Sequence, residues 1–290
     1  MENLSLVIYT SEKHTPIAKL CAQEFNKFSN GLDIPKYVIS NRFKCGTDFN
    51  SMGFTKIDCE IPYCDGGTHY PEVMLKSLSE VKTDYVLFLL EDYILMTDIK
   101  IKSLESILNV MKDENIDHVS LMSYDYSDWT NLNINYQNYG LDENIFLNLD
   151  NRYHYMLSVQ PCIWKKESLI KILTHNPKIS IHSFDTSYVS NIKGQKRNNL
   201  NGRYYDTPSD FWDYNFKHIV LRKTNLTGNY AFDEHNGTDD YFLFLYSEIM
   251  RNGRFNFYTH ENNKIFLNKF LKDQNIDEHN NFYSKYFYND

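Results

Sequence analysis

The segment Tyr85-Val-Leu-Phe-Leu-Leu-Glu-Asp-Tyr-Ile-Leu95 is the most informative part of this sequence. It opens with an uninterrupted apolar run, and neighbouring side chains on a strand point to opposite faces of a sheet. A strand that is apolar on both faces must be covered on both, as in the interior of a parallel sheet. Residues 84–90 are therefore predicted to form a central, fully buried strand.

Two carboxylates, Glu91 and Asp92, follow this strand directly. Leaving them unpaired at the end of an interior strand would cost several kcal/mol. A divalent cation would remove that cost, and hard oxygen ligands suit Mg²⁺ or Mn²⁺. The alternative is a structural pair that caps a neighbouring helix or meets an arginine or lysine.

Strands and helices alternate around this segment through the first 122 residues. Further strands are predicted at Leu4–Tyr9, Lys36–Ser40, Thr55–Ile61 and His118–Met122, and helices begin near Pro16, Pro71 and Lys100. This alternation is typical of a three-layer α/β/α sandwich with a mostly parallel central sheet. Because such sheets bind ligands at the carboxyl ends of their strands, one site is predicted at that edge. It would unite Thr10, Ser11, Asn41, Glu91 and Asp92.

The second half of the chain has a weaker pattern, and we expect an irregular C-terminal part. Residues 123–151 are polar and aromatic and are predicted to be loop. Later elements are predicted as strands at Tyr153–Gln160 and His218–Arg222, and as helices at Lys166–His175, Asp240–Met250 and Lys264–Leu271. No repeat or low-complexity linker divides the chain, so residues 1–290 are predicted to form a single domain.

Composition narrows the classes of function. The chain has 290 residues, 42% of them hydrophobic and 23% charged, as in ordinary globular proteins. Its formal net charge of −8 argues against a nucleic acid partner, which would favour a basic surface. No segment has the length of a transmembrane span, and no apolar signal follows Met1, so we expect a cytoplasmic protein. The abundance of Asn, Lys, Ile and Tyr is typical of AT-rich genomes, as in large viruses or low-GC bacteria; a viral protein would lie in the host cytoplasm or the virion.

The cysteines give no strong signal. There are five, an odd number in a chain of this size, so a disulfide framework is not expected. Cys45, Cys59, Cys64 and His69 could be drawn as a zinc site, but the paired C-x₂-C spacing is absent. The segment Cys64-Asp-Gly-Gly-Thr-His69 precedes a helix and could admit a phosphate; a plain turn is the alternative.

The sequence resembles the GT-A glycosyltransferases, a nucleotide-sugar-dependent fold whose fourth strand ends in an acidic motif. More narrowly, it resembles bacterial and large-virus proteins of capsule and surface-glycan gene clusters that share an LLEDY motif, matched here within Thr83–Leu95. A second shared motif is matched by Tyr155, Leu157, Ser158, Gln160, Trp164, Lys165, Lys166 and Leu169. A third is matched in part, by Asn176-Pro177 and Phe184-Asp185, where this chain lacks the Trp of the motif and carries Asp in place of Glu. The resemblance covers roughly residues 4–190.

This resemblance implies an enzyme that moves a sugar from a nucleotide diphosphate sugar to a glycan or glycoconjugate acceptor, with Mn²⁺ or Mg²⁺ and with inversion. It places the nucleotide sugar against residues 1–125 and the acceptor against residues 126–290. Donor contacts are implied for Thr10, Ser11, Asn41 and Asp65. Asp92 is implied as the metal ligand, with Glu91 on the metal or the donor sugar and so part of the catalytic set.

The acceptor side is implied by the later motifs. Asp185 takes the position of the family's Glu and is the candidate base for the acceptor hydroxyl. An ordinary solvated aspartate is the alternative there, and Asp128, Asp210 and Asp213 are competing bases. Gln160 and Trp164 would line the acceptor pocket, although a Trp at such a position is also a common core residue.

Two functions other than sugar transfer are also considered. A nucleotidyltransferase that makes sugar nucleotides would show a Gly-rich loop after the first strand, and residues 10–14 contain no glycine. A non-catalytic glycan- or nucleotide-binding relative would be favoured by loss of the acidic pair, which is present. The ten histidines show no H-E-x-x-H spacing, although His235 and His260 could act as late metal ligands.

Overall fold

A computed structural model of the chain describes residues 1–43, 48–61, 69–124, 134–142, 146–149, 161–175, 217–222, 243–244, 246–248, 250–251, 254–255 and 272. The helices are α1 (Thr15–Phe28), α2 (Tyr70–Glu80), α3 (Ile101–Asp113) and α4 (Lys166–His175). The first six strands are β1 (Leu4–Thr10), β2 (Lys36–Ser40), β3 (Thr55–Asp58), β4 (Tyr85–Leu90), β5 (Tyr93–Leu95) and β6 (His118–Tyr124). The later strands are β7 (Phe146–Leu149), β8 (Cys162–Lys165), β9 (His218–Arg222), β10 (Tyr246–Glu248), β11 (Met250–Arg251) and β12 (Arg254–Phe255). Short 3₁₀ turns occupy Glu12–His14, Asn50–Met52 and Tyr136–Tyr139.

Eight strands form the main sheet, in the order β3-β2-β1-β4-β8-β6-β9-β7. The pairs β1–β2, β2–β3, β1–β4 and β6–β9 are parallel. Strand β8 is antiparallel to both of its neighbours, and β7 is antiparallel to β9. It follows that six of the eight strands point the same way, so the sheet is mostly parallel.

The alternation of side chains along the strands gives the sheet two apolar faces. One face carries Leu6, Ile8, Leu87 and Leu89, which join a core cluster with residues of α1 and α3. The other carries Val7, Val86 and Phe88, which pack with residues of α2 and α4. Helices therefore cover both faces of the sheet, and the predicted three-layer α/β/α sandwich is confirmed.

The helices follow their sequence patterns closely. Helix α1 has a proline in its first turn, at Pro16, where a missing backbone N–H costs nothing. Its buried positions include Ile17, Leu20, Cys21 and Phe25, which recur at helical spacing on the face toward the sheet. Helix α2 begins in the same way, with Pro71 in its first turn.

Several sequence predictions need correction. The predicted helix at Asp240–Met250 is wrong, because Tyr246–Glu248 is a strand, β10, that pairs antiparallel with β5. Its apolar run fits either period, and the pairing partner decides between them. The loop predicted at 123–151 is too long at both ends. Strand β6 continues to Tyr124 at its start, and strand β7 lies within the predicted loop near its end. Strand β8 was not foreseen, and β3 is shorter than predicted.

The remaining structural predictions concern other parts of the chain. Two predicted elements lie outside the described residues: the strand at Tyr153–Gln160 and the helix at Lys264–Leu271. The same holds for most of the C-terminal part that is expected to be irregular. In the portion that is described, none of the helices has both the length and the apolar character needed to cross a membrane.

Candidate active site at the sheet switch point

The acidic pair lies in the two-residue connection between β4 and β5. Glu91 is buried, and its backbone N–H donates to the carbonyl of Tyr9 at 3.1 Å, which extends the β1–β4 pairing by one residue. Asp92 is half-buried, with its Oδ1 atom shielded from solvent. The strand thus delivers both carboxylates to the carboxyl edge of the sheet, as the sequence predicted.

This edge contains the point where the strand order reverses. From β1 the chain passes through α1 to β2 on one side, whereas β4 lies on the other side of β1. α/β sheets bind their ligands in a crevice at the carboxyl edge, beside such a reversal of strand order. The residues that follow β1 and β4 therefore define the candidate site.

A side-chain contact crosses this crevice. Nδ1 of His14 lies against Oε1 of Glu91, in a close hydrogen bond between residues 77 positions apart. A carboxylate has no hydrogen to give, so the imidazole N–H is the donor. The His14 side chain is 29% exposed and that of Glu91 is 10% exposed, so the contact is largely shielded from water.

The loop that carries His14 is held by its own hydrogen bonds. The carbonyl of Ser11 accepts from the backbone N–H of His14 at 3.0 Å, which closes the 3₁₀ turn at Glu12–His14. The hydroxyl of Thr15 donates to the Glu12 carbonyl at 2.9 Å. Thr10, fully buried, donates from its hydroxyl to the Ser11 carbonyl at 3.3 Å. The loop is therefore held in place by hydrogen bonds within the protein.

Asn41 joins three segments at the same edge. It follows β2 and is buried. Its Oδ1 accepts from the Glu12 backbone N–H at 3.3 Å and from the Ser40 hydroxyl at 3.3 Å. Its Nδ2 donates to the Ile61 carbonyl at 3.2 Å. Both ends of the amide are engaged within the protein, and they tie the β1–α1 loop to the chain after β3.

Helix α1 places a thiol near the acidic pair. Cys21 is fully buried, and its Sγ donates to the Tyr93 carbonyl at 3.5 Å. Burial raises the pKa of the Cys21 thiol well above its usual value, and the charges of Glu91 and then Asp92 raise it further. The Cys21 side chain is therefore a neutral thiol rather than a thiolate.

The structure brings together five of the residues predicted for the site and separates another. Thr10, Ser11, Asn41, Glu91 and Asp92 all lie at the carboxyl ends of three adjacent strands, β2, β1 and β4.

Trp164 does not join them. It lies in β8, paired with Val86 near the start of β4 and with His118 at the start of β6. Its ring is 1% exposed and lies 4.2 Å from the His118 ring, centroid to centroid. It therefore offers no face to a sugar, and the acceptor role predicted for it is corrected to a core role.

The other predicted site residues fall elsewhere in the chain. The residues that lie outside the described part of the chain are Asp65, Gln160 and Asp185, the competing bases Asp128, Asp210 and Asp213, and the histidines His235 and His260. His14 is the site residue that sequence reasoning missed. Its position, three residues after Ser11 in a polar loop behind the first strand, was the available signal, but nothing local connects it to Glu91.

The metal-binding side chains of this site suit a cation that is also bound by a ligand better than a cation that is held by the protein alone. Among the described residues no group of three or more His, Cys, Asp or Glu side chains is arranged to hold a metal. Mg²⁺ is commonly bound by one or two carboxylates together with substrate phosphates, and Glu91 and Asp92 supply that number. The residues present therefore fit a cation that arrives with a phosphate ligand.

Comparison with known proteins gives distant structural likeness only. No protein-family model matches the sequence, and no curated protein matches it. Among solved structures, TarS of S. aureus is 13% identical with a TM-score of 0.38, over 61% of this chain and 30% of that one. Mannosyltransferase PcManGT of Pyrobaculum calidifontis, in complex with GDP-Man and Mn²⁺, is 12% identical with a TM-score of 0.38, over 64% and 50%. Glucosyl-3-phosphoglycerate synthase of Mycobacterium tuberculosis, in complex with Mn²⁺ and UDP-glucose, is 18% identical with a TM-score of 0.29, over 41% and 43%. The matched regions span half or less of those three proteins, and their activities are not assigned to this chain.

Proposed function

We propose that this chain is a glycosyltransferase that moves a sugar from a nucleotide diphosphate sugar to a glycan or glycoconjugate acceptor. One observation carries the proposal: Glu91 and Asp92 end the fourth strand of a mostly parallel sheet, at the switch point beside the β1–α1 loop. Ligands of such sheets bind there. An acidic motif after the fourth strand is also what the resemblance to GT-A glycosyltransferases implies.

Asp92, with Glu91 beside it, would hold Mn²⁺ or Mg²⁺ together with the diphosphate of the donor. When bound, the ion neutralises charge on the phosphates of the leaving nucleotide. One oxygen of Glu91 accepts from His14. The second oxygen of Glu91 would serve the ion or a hydroxyl of the donor sugar.

The β1–α1 loop would receive the nucleotide. Ser11 is half-buried and lies at the edge of the crevice, so it is placed to contact the donor. Thr10 and Asn41 are buried and use their side chains in hydrogen bonds to neighbouring loops. We therefore assign those two residues to the shape of the donor site rather than to direct contact.

The acceptor side rests on the sequence alone. Asp185 is proposed as the base that removes the proton from the acceptor hydroxyl as it attacks the anomeric carbon, with inversion. Gln160 is proposed to line the acceptor pocket and Asp65 to contact the donor.

A thermal-shift experiment tests the donor half of the proposal. The protein is melted with UDP-, GDP- and dTDP-sugars, each with and without MnCl₂. At a hundredfold excess over Kd, binding to the folded state alone stabilises a protein by about 2.7 kcal/mol, or roughly 5 °C in Tm. We expect one nucleotide class to give such a shift with Mn²⁺, and Asp92→Ala to abolish its metal-dependent part.

Asp98→Ala is the matched control, because Asp98 is an exposed aspartate in the loop that follows β5. It should respond as the wild-type chain does. A metal-dependent shift that survives Asp92→Ala would contradict the assignment of the ligand. The absence of any shift with any nucleotide in the wild-type chain would favour a non-catalytic binding module instead.

A further inference from the structure

His14 makes the side-chain link across the switch point. The backbone bond from Glu91 N–H to the Tyr9 carbonyl joins the ends of β4 and β1. The bond between His14 and Glu91 adds a second connection, from the far end of the β1–α1 loop. Since His14 also begins α1 as its N-cap residue, the loop, the helix and the acidic pair are held as one unit.

The acidic pair presents an electrostatic problem for a phosphate ligand. Two adjacent carboxylates repel the diphosphate of a nucleotide, and this repulsion is strong in a shielded crevice. A hydrogen bond from an imidazole lowers the negative charge that Glu91 presents, and it occupies one of the two carboxylate oxygens.

We propose that His14 is a positioning residue of this site: it holds Glu91 against the β1–α1 loop and offsets its charge, so that a nucleotide diphosphate can approach the acidic pair. This inference rests on the proposed function and names a residue that the function did not require. It assigns His14 to diphosphate binding rather than to cation binding. Removing the imidazole leaves both carboxylates to the cation and makes the site more repulsive to phosphate.

This assignment predicts that loss of the imidazole affects diphosphate binding and Mn²⁺ binding differently. His14→Ala should weaken binding of the nucleoside diphosphate in the presence of Mn²⁺ by roughly tenfold or more, the scale of a lost charge-assisted hydrogen bond. Binding of Mn²⁺ alone should be unchanged or tighter. His14→Asn should stay within about threefold of the wild type, because its amide N–H can replace the imidazole Nδ1–H.

The experiment is calorimetric titration of the full chain with MnCl₂ alone, and with UDP, GDP and dTDP in saturating MnCl₂. Lys27→Ala is the matched control, because it removes an ion pair, Lys27 to Glu24 at 3.1 Å, from the other end of the same helix. Far-UV circular dichroism checks that each variant is folded.

Three outcomes would overturn the inference. The first is that His14→Ala leaves diphosphate affinity at the wild-type value. The second is that it weakens the binding of Mn²⁺ and of diphosphate equally, as loss of a direct metal ligand would. The third is that His14→Asn fails to restore binding, which would show that diphosphate binding requires the imidazole ring itself. A wild-type chain that binds neither MnCl₂ nor any diphosphate contradicts the proposed function as well, and that result is separate from any difference between variants.

Discussion

At the scale of single residues, the site depends on polar side chains that bond to the protein rather than to solvent. Asn41 is the clearest example, since its amide serves the Glu12 N–H, the Ser40 hydroxyl and the Ile61 carbonyl. Its type and its place after a strand were readable from the sequence. Its partners were not, because two of them lie 20 and 29 residues away and depend on strand order.

Asn41→Ala should therefore lower the free energy of unfolding by about 1–3 kcal/mol, because it leaves a backbone N–H and a carbonyl in a buried position without their partner. Denaturant unfolding measures this loss. Asn3→Ala is the control, since Asn3 also joins two segments, by bonds to Asp84, but in an exposed place where water can substitute. Equal losses in the two variants would show that burial of Asn41 is not what makes it important.

At the scale of elements, sequence periodicity identified the helices and strands that a local pattern alone can define. Helix α4 and strands β2 and β9 have the predicted bounds, and α1, α2 and α3 each begin within one residue of the predicted start. The helix predicted at Asp240–Met250 failed because its apolar run contains both aromatic and β-forming residues. Its conformation is chosen by pairing with β5, which follows the acidic pair.

The pairing of β10 with β5 should be worth several kcal/mol. Tyr246 is fully buried and its ring packs edge-on against Tyr93 at 5.3 Å between centroids. Tyr246→Ala should cost about 3–5 kcal/mol in unfolding free energy, the range for a large aromatic residue removed from a core. Tyr246→Phe keeps the ring and should cost much less. If chemical denaturation shows that the alanine variant is as stable as the phenylalanine variant, the strand does not anchor this part of the fold.

At the scale of the whole molecule, one sheet takes strands from both halves of the chain. Strands β1 to β4 and β6 come from residues 1–125, and β7, β8 and β9 from residues 126–290. Strand β8 lies between β4 and β6, so neither half can complete the sheet without the other. That residues 1–290 form a single domain stays a prediction, and it implies that the two halves unfold together.

A single cooperative unfolding transition is expected for this reason. Leu87 and Phe88 are neighbours on β4 that are 0% and 1% exposed and belong to opposite core clusters. Leu87→Ala should cost about 2–5 kcal/mol and Phe88→Ala about 3–5 kcal/mol. Each should lower the midpoint of the same transition, followed by near-UV and far-UV circular dichroism. A second transition that appears in only one variant would mean that the core clusters on the two faces of the sheet unfold separately.

The sequence by itself determined the α/β/α class, the buried central strand and the carboxylates at its end, because hydrophobic period and burial are properties of short segments. Only the tertiary structure decided that Trp164 belongs to the core, that Tyr246–Glu248 is a strand, and that His14 meets Glu91. Each of these depends on which distant segments become neighbours. Strand order sets those neighbours through the packing of the whole sheet, and no local pattern specifies it.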